Sequence, residues 1–227
     1  MQIQSEIFSP IDYALLARAR QFYENKGFQY IEVPWLVEPA VSAQTKPHRD
    51  ESFTLRAGSF SDSPLELVGS AEQGFMQLMK NLQLKPGHYQ SISPCFRLES
   101  DYTRTHLPWF IKLELFSNFQ SSGADNLYPT HEALVNVAKE FFTSLLLQRE
   151  LESQLEIKDE HLAALKAEIN SQLRVVEVGQ EMQDIYLQQL EVGSYGKRHC
   201  QWGEFLYGTG LALPRWSLAH HESLTRG

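Results

Sequence analysis

The spacing of hydrophobic positions changes along the chain, and each spacing predicts a different type of secondary structure. Apolar residues recurring every three to four positions predict helices over residues 11–26, 71–82, 130–147 and 151–169. Alternating or continuous apolar runs, bounded by polar turns, predict strands over residues 28–37, 65–69, 92–99, 108–116, 174–179 and 184–198. Pro34 interrupts the first of these strands, which favours a place at an edge or an interface.

Residues 92–116 combine two of these strands with a polar loop into a long hairpin that carries Arg97, Arg104 and Phe110. Arginine contacts phosphate oxygens through a rigid fork of N–H groups. The hairpin could therefore hold a planar aromatic ligand against Phe110 while the arginines bind phosphates. A surface hairpin with ordinary charged side chains is the alternative, and this segment alone does not decide between the two.

Length and composition restrict the class of protein. The chain has 227 residues, 42% hydrophobic and 21% charged, which is enough for one substantial core. No apolar run approaches the roughly 20 residues of a membrane span, and the N-terminus lacks the layout of a signal peptide. Two cysteines, Cys95 and Cys200, are too few for a disulfide framework or a zinc site. We therefore expect a cytoplasmic protein with no membrane partner.

The net charge of −8 bears on possible partners. A protein that binds a long stretch of nucleic acid usually has a basic face, because neutralising phosphates supplies much of its affinity. The acidic balance leaves room for a local basic patch. It argues against RNA binding as the main activity.

The hairpin resembles motif 2 of the class II aminoacyl-tRNA synthetases, with the pattern F-R-x-E, a loop, and H-x-x-x-F. The run TRTHLPWF is most similar to the asparaginyl and aspartyl branch. The resemblance implies that Arg97 binds the α-phosphate of ATP, that Glu99 contacts the adenine and that Phe110 stacks on it. It also implies contacts from Arg104 and His106 to the outer phosphates.

The helix at 71–82 begins where the family has an amino-acid recognition loop of T-x-E or Q-S-x-Q type. By this resemblance Ser70, Glu72 and Gln73 contact the α-amino group of a substrate. Without the family, Ser70 is a plain helix N-cap and Glu72 a first-turn acid that complements the helix dipole. Lys112 and Glu114, on the second hairpin strand, are expected to help select the amino acid.

Glu191 and Arg198 are seven residues apart, as in the E-x-x-G-G-S-x-R strand of aspartyl-type enzymes. The resemblance implies that Glu191 helps hold Mg²⁺ and that Arg198 binds an acidic or amide side chain. Carboxylates suit Mg²⁺, and arginine suits carboxylates. A surface acid and an ordinary surface arginine are the alternatives.

Residues 206–222 resemble motif 3, a strand and helix of pattern G-x-G-x-G-x-x-R. Here Gly210 belongs to the glycine-rich part at the ATP site, and Arg215 is expected to bind the γ-phosphate. The chain departs from the family at three positions: Trp109 replaces the usual Glu, Ala212 the third Gly and Pro214 an acid.

Residues 11–38 resemble motif 1, which implies a homodimer formed through this segment. The resemblance spans nearly the whole chain as one domain, 1–227, with motif 2 at 92–116. It implies an α+β fold in which helices flank an antiparallel sheet. We expect a stand-alone catalytic core, because the chain leaves no room for the family's anticodon-binding barrel.

These features predict an ATP- and Mg²⁺-dependent ligase that activates an amino acid, such as aspartate or asparagine, to an aminoacyl-adenylate. Pyrophosphate is released, and the acyl group passes to a small molecule or a protein rather than to tRNA. One alternative is an inactive regulatory or scaffold paralogue, which the three departures support. Direct tRNA aminoacylation is a further alternative.

Overall fold

The computed structural model describes residues 11–45, 53–55, 64–98, 102–103, 106–118, 126–153 and 159–225. Within these residues the helices are α1 (Tyr13–Asn25), α2 (Pro39–Ser42), α3 (Ala71–Lys80), α4 (His131–Ser153), α5 (Asp159–Gln172) and α6 (Arg215–Thr225). The strands are β1 (Gln29–Tyr30), β2 (Leu36–Val37), β3 (Thr54–Leu55), β4 (Leu65–Leu67), β5 (His88–Phe96), β6 (Trp109–Ser117), β7 (Leu173–Gly179), β8 (Met182–Leu187), β9 (Leu190–Cys200) and β10 (Gly203–Leu213).

One seven-stranded sheet forms the centre of the molecule, in the order β1-β5-β6-β10-β9-β8-β7. Strands β2, β4 and β3 form a small second sheet. In the large sheet β1 pairs with β5 in parallel, and the other neighbours are antiparallel. Helices flank this sheet, so the predicted α+β fold is confirmed, with one parallel pair at the edge.

The four helices predicted from apolar spacing are present, with ends that differ by up to eight residues. Helix α5 begins at Asp159 rather than at residue 151, and α4 continues to Ser153 rather than ending near residue 147. The added residues, QRELES, contain several good helix formers beyond the apolar stripe, so the helix continues where the stripe stops. Among the described helices, none is both long and apolar enough to cross a membrane.

The single strand predicted over residues 184–198 is wrong, because this segment forms the hairpin β8–β9. Leu187 pairs with Leu190 across a turn, and Gln188 has a φ of +56°. A two-residue hairpin turn requires positive φ and is usually marked by Gly or Asn. The polar pair Gln188–Gln189 gives no such signal, and apolar residues on both sides make the run look continuous.

The predicted strand over residues 28–37 is shorter than expected. Two residues, Gln29 and Tyr30, pair with β5 at the edge of the large sheet, and β2 belongs to the small sheet. Pro34 lies between the two pieces. Proline has no N–H to donate to a sheet, which explains why the pairing is not continuous.

The larger hydrophobic core lies behind the sheet, where α1 and α4 cover it. Asp12 caps α1 by accepting a hydrogen bond from the N–H of Leu15 at 2.9 Å. The core joins buried residues of both helices to the back face of β6, β8, β9 and β10: Leu16, Ala19, Tyr23, Leu113, Leu115, Leu134, Ala138, Phe141, Phe142, Ile185, Val192 and Leu211. Helix α4 therefore packs directly on the back of the sheet.

A second core lies on the front face, under α3. Phe75 of α3 stacks on Phe116 of β6, with ring centroids 4.5 Å apart, and Phe116 stacks on Phe205 of β10 at 4.6 Å. Gly74 lets α3 approach the segment before β2, since a Cβ there would lie 2.7 Å from the carbonyl oxygen of Pro34. Helix α3 covers one end of the front face and leaves the other end open.

Candidate active site

The open end of the front face contains a cavity of about 550 Å³. Its floor is made by neighbouring strands β6, β10 and β9, on which alternate side chains point to the same face. The residues after β4, the residues after β5 and the start of α6 form its walls. A cavity of this size fits a nucleotide-sized ligand.

One end of the cavity contains Arg97, directly after β5, and Phe110 of β6. The guanidinium carbon of Arg97 lies 5.1 Å from the centroid of the Phe110 ring, which is a cation–π contact. The N–H of Arg97 donates to the carbonyl of Pro108 at 3.0 Å and so continues the hairpin pairing past β5. His106 also lines this end, and its N–H donates to the hydroxyl of Thr103 at 3.1 Å.

Arg215 enters the cavity at the first residue of α6. Its guanidinium lies 3.3 Å from a carboxylate oxygen of Glu191, the second residue of β9. Both side chains are partly exposed, so water screens this pair and it contributes little to stability. The contact shows instead that a cation and an acid from different elements meet at the same point of the cavity wall.

An acid–base pair lies deeper in the cavity, with Glu72 buried and Arg198 partly exposed. The carboxylate of Glu72, in the first turn of α3, accepts a hydrogen bond from Nε of Arg198 at 2.5 Å. The guanidinium of Arg198 also lies 5.1 Å from the ring centroid of Tyr207. Burial raises the pKa of Glu72 to about 7; the charge of Arg198 lowers it by less, and the negative charge of Glu114 raises it further.

Glu114 is buried on the floor of the cavity and accepts hydrogen bonds from two groups. The hydroxyl of Ser70 lies 2.7 Å and 2.5 Å from its two carboxylate oxygens, and the ammonium of Lys112 lies 3.0 Å away. Ser70 is also the N-cap of α3, since its side chain accepts from the N–H of Glu72. The family-based role of Ser70 and its role as a cap are therefore compatible.

Gln73 lines the cavity, but other contacts already engage both ends of its side-chain amide. Its oxygen accepts from the N–H of Gly69 at 2.7 Å, and its nitrogen donates to the hydroxyl of Thr45 at 2.8 Å. These bonds fix the turn between β4 and α3. Gln73 therefore stabilises this turn as well as lining the cavity.

Gly210 lies on the floor strand β10 but does not line the cavity. A Cβ on Gly210 would lie 2.8 Å from Tyr23 and would overlap Leu113, both of which belong to the core behind the sheet. The close packing that requires glycine is therefore on the back face. The predicted contact between Gly210 and ATP stays a prediction. Only the backbone of Gly210 is available for such a contact.

The cavity brings together eleven of the fourteen site residues predicted from the sequence: Ser70, Glu72, Gln73, Arg97, His106, Phe110, Lys112, Glu114, Glu191, Arg198 and Arg215. Glu99 and Arg104 lie outside the described residues. Among the departures from the family, Ala212 and Pro214 line the cavity. Trp109 precedes the inward-facing Phe110 on β6, so strand alternation turns it away from the cavity.

Asp184 is a candidate site residue that the sequence analysis missed. It pairs across the hairpin with Ser194, which lines the cavity, and within the described residues its buried Oδ1 has no hydrogen-bond partner. Burial raises the pKa of Asp184, and the nearby charge of Glu191 raises it further, although a hydrogen bond with Ser194 lowers it. The signal available in the sequence was an acid at the start of the predicted strand 184–198, seven residues before Glu191.

The acidic side chains at the cavity are candidate ligands for a magnesium ion. The described residues contain no cluster of three or more metal-ligating side chains. Magnesium that accompanies a nucleotide requires one or two carboxylates, because phosphates and water supply the other oxygens. Glu191 lines the cavity, and Asp184 lies on the neighbouring strand β8 opposite the cavity-lining Ser194, so these two acids are the candidates for that role.

Comparison with known proteins identifies the fold. No family model and no curated protein sequence matches the chain. Among solved structures, PylSc of Desulfitobacterium hafniense, a pyrrolysyl tRNA synthetase, is similar with a TM-score of 0.58 and 16% sequence identity. The match covers 97% of this chain and 73% of that chain. The chain therefore has the fold of a class II aminoacyl-tRNA synthetase catalytic domain.

Proposed function

We propose that this protein is an adenylate-forming ligase. With ATP and Mg²⁺ it converts an amino acid into an aminoacyl-adenylate, releases pyrophosphate and passes the acyl group to an acceptor other than tRNA. One observation carries the proposal: a single cavity has Arg97, Phe110 and Arg215 at one end and the hydrogen-bonded pair Glu72–Arg198 at the other. Such a cavity can hold a nucleotide and an amino acid side by side.

The nucleotide end supplies cations and an aromatic surface. An oxygen of the substrate carboxylate attacks the α-phosphorus of ATP, and the bond from that phosphorus to the leaving pyrophosphate breaks. Arg97 binds the α-phosphate and Arg215 the γ-phosphate, so their guanidinium groups stabilise the charge that develops during the displacement. Phe110 offers its ring to the adenine. No protein nucleophile is required, because the substrate carboxylate itself attacks. Positioning of the two substrates lowers the barrier.

Glu191 and Asp184 would hold Mg²⁺ beside the phosphates. Bound there, the ion supplies Lewis-acid stabilisation of phosphoryl oxygens. Arg215, which contacts Glu191 in this structure, is placed to exchange that carboxylate for a phosphate of the nucleotide. Binding of the nucleotide and Mg²⁺ would thus change the partner of Arg215 from Glu191 to a phosphate.

The amino-acid end supplies a charge of each sign. Ionised Glu72 binds the α-ammonium group, with Ser70 and Gln73 shaping the turn around it. Arg198 then meets an oxygen of the side chain, which favours an acidic or amide amino acid such as aspartate or asparagine. Lys112 and Glu114 pair with each other on the floor, which limits the charge that the floor presents to the substrate.

The proposed acceptor is a small molecule or a protein. The net charge of −8 supports this choice, because tRNA binding draws on a basic surface. Direct acylation of tRNA is the competing activity. A gel-shift with bulk tRNA separates the two: we expect no shift at physiological salt, and a salt-dependent complex would favour tRNA as the acceptor.

Amino-acid-dependent exchange of labelled pyrophosphate into ATP tests the proposed activation step. All twenty common amino acids are screened, and we expect exchange with aspartate or asparagine. Exchange driven only by apolar or basic amino acids would refute the role given to Arg198. ATP binding without exchange for any amino acid would favour the inactive paralogue.

Two substitutions test the nucleotide end. We expect Arg97→Ala and Arg215→Ala to lower the exchange rate by about 10²–10³, the usual cost of losing one group that stabilises transition-state charge. Arg174→Ala is the matched control, because Arg174 lies over Tyr186 on the outer strands and does not line the cavity. Equal losses in all three variants would contradict the proposed roles.

A further inference from the structure

Strand β10 changes its pairing in the middle of the cavity floor. Thr209 pairs with Glu114 of β6, but the next paired residue is Leu211, so Gly210 is an extra residue in a β-bulge. A bulge moves the following side chains to the opposite face. Thr209 and Ala212, three residues apart, therefore both line the cavity.

The bulge also separates β10 from β9. The pairing of the two strands ends at Gly208 and Tyr195. Beyond that point Thr209 reaches β9 through its side chain, with the N–H of Ser194 donating to its hydroxyl at 3.3 Å. The carbonyls that follow Gly208 therefore need partners other than β9, since unpaired buried carbonyls are costly.

Two tyrosines behind the sheet supply those partners. The hydroxyl of Tyr195 donates to the carbonyl of Thr209 at 2.6 Å, and the hydroxyl of Tyr23 donates to the carbonyl of Gly210 at 2.9 Å. Both tyrosines are completely buried. Their rings approach the bulge from the core, on the face opposite to the cavity.

The glycines of β9 and β10 make room for these rings. A Cβ on Gly193 or on Gly208 would overlap the ring of Tyr195. A Cβ on Gly210 would lie 2.8 Å from the ring of Tyr23. The Gly208–Thr209–Gly210 run is thus explained by tyrosines that pack against the back of the sheet.

We infer that Tyr23 and Tyr195 are positioning residues for the proposed activation reaction. Their hydroxyls hold the β10 bulge, and the bulge sets the positions of Thr209, Ala212 and the following Arg215. The inference rests on the proposed function for its chemistry. It extends that function to residues which do not contact the cavity, and it connects α1 to the nucleotide end.

Substitution by phenylalanine isolates the contribution of each hydroxyl. Tyr23→Phe and Tyr195→Phe keep the rings that fill the space at the glycines but leave one buried carbonyl of the bulge without its donor. Tyr128→Phe is the matched control. Tyr128 is also a buried tyrosine of the same core, and its hydroxyl donates to the carbonyl of Lys26 at 2.8 Å, away from β10.

Three measurements are made on each purified full-length variant. Hydrogen–deuterium exchange follows the backbone of residues 206–213, calorimetry gives the affinity for ATP, and pyrophosphate exchange gives kcat and the KM for the amino acid. We expect about tenfold faster hydrogen exchange at the bulge and about tenfold weaker ATP binding in Tyr23→Phe and Tyr195→Phe. We expect kcat to fall while the KM for the amino acid stays unchanged.

The double variant provides a further check. Because both hydroxyls hold the same bulge, their effects on ATP affinity should not be additive. Variants that behave like Tyr128→Phe in all three measurements would overturn the inference and leave the proposed function intact. A wild-type protein that neither binds ATP nor exchanges pyrophosphate would overturn the proposed function, and the positioning role with it.

Discussion

At the residue scale, Glu72 gives the proposed reaction a dependence on pH. Burial raises the pKa of this carboxyl to about 7. The α-ammonium group of the substrate needs the ionised form, whose fraction increases as the pH rises through that value. We therefore expect kcat/KM for the amino acid to rise with pH, by roughly tenfold per unit below about pH 7, and to level off above it.

The pH–rate profile of pyrophosphate exchange measures this effect. Glu72→Gln should lower kcat/KM and remove the inflection near pH 7, because the amide does not ionise. Glu204→Gln is the control, since Glu204 is an exposed acid that pairs with Lys197 outside the cavity. A profile for Glu72→Gln with the wild-type inflection would assign the titration to another group.

Single residues also show what the sequence could predict about the site. The motifs pointed to Arg97, Phe110 and Arg215, and all three line the same cavity. They did not reveal that Arg198 pairs with Glu72, because the two residues are 126 positions apart and meet only after β9 and α3 pack together. Nor could they show on which face of β10 the close packing at Gly210 lies.

At the element scale, strands were harder to predict than helices. An apolar stripe at helical spacing identifies a helix, and only its ends vary with propensity and capping. The β8–β9 hairpin lacked a signal because Gln188 adopts positive φ without being Gly or Asn. The Thr209–Leu211 bulge had no signal in the local sequence, since it depends on tyrosines contributed by α1 and β9.

The contact between α4 and α6 leads to a prediction about ATP binding. Phe142 of α4 is completely buried and stacks on Trp216, with ring centroids 4.6 Å apart. Trp216 follows Arg215, so this stack fixes the start of α6 at the cavity. We expect Phe142→Leu to lower the free energy of unfolding by about 1–2 kcal/mol and to weaken ATP binding several-fold.

Urea unfolding and calorimetry with ATP measure the two effects. Phe75→Leu is the matched control, because Phe75 stacks on Phe116 at almost the same centroid distance, 4.5 Å, under α3. We expect a similar loss of stability from this variant with unchanged affinity for ATP. If both variants weaken ATP binding equally, the stack does not act through α6.

At the scale of the whole molecule, one sheet separates the larger hydrophobic core from the cavity. Its back face carries the larger core with α1 and α4, and its front face carries α3 and the cavity. The strands in the middle of the sheet contribute to both faces, so residues of the core can act on the cavity through the backbone. This arrangement explains why α1, which does not line the cavity, is joined to the floor by a hydrogen bond from Tyr23.

The same helix belongs to residues 11–38, through which we propose that two copies of the chain associate. Trp35 in this segment is 49% exposed, and exposed tryptophans are frequent anchors of interfaces.

We expect sedimentation equilibrium to give about twice the chain mass of 26.1 kDa for the wild type. Trp35→Glu should weaken association by at least about 2 kcal/mol, roughly 30-fold. Leu82→Glu is the control, because Leu82 is 92% exposed and lies outside this segment. A monomeric wild type at tens of micromolar, or equal dissociation by both variants, would exclude this interface.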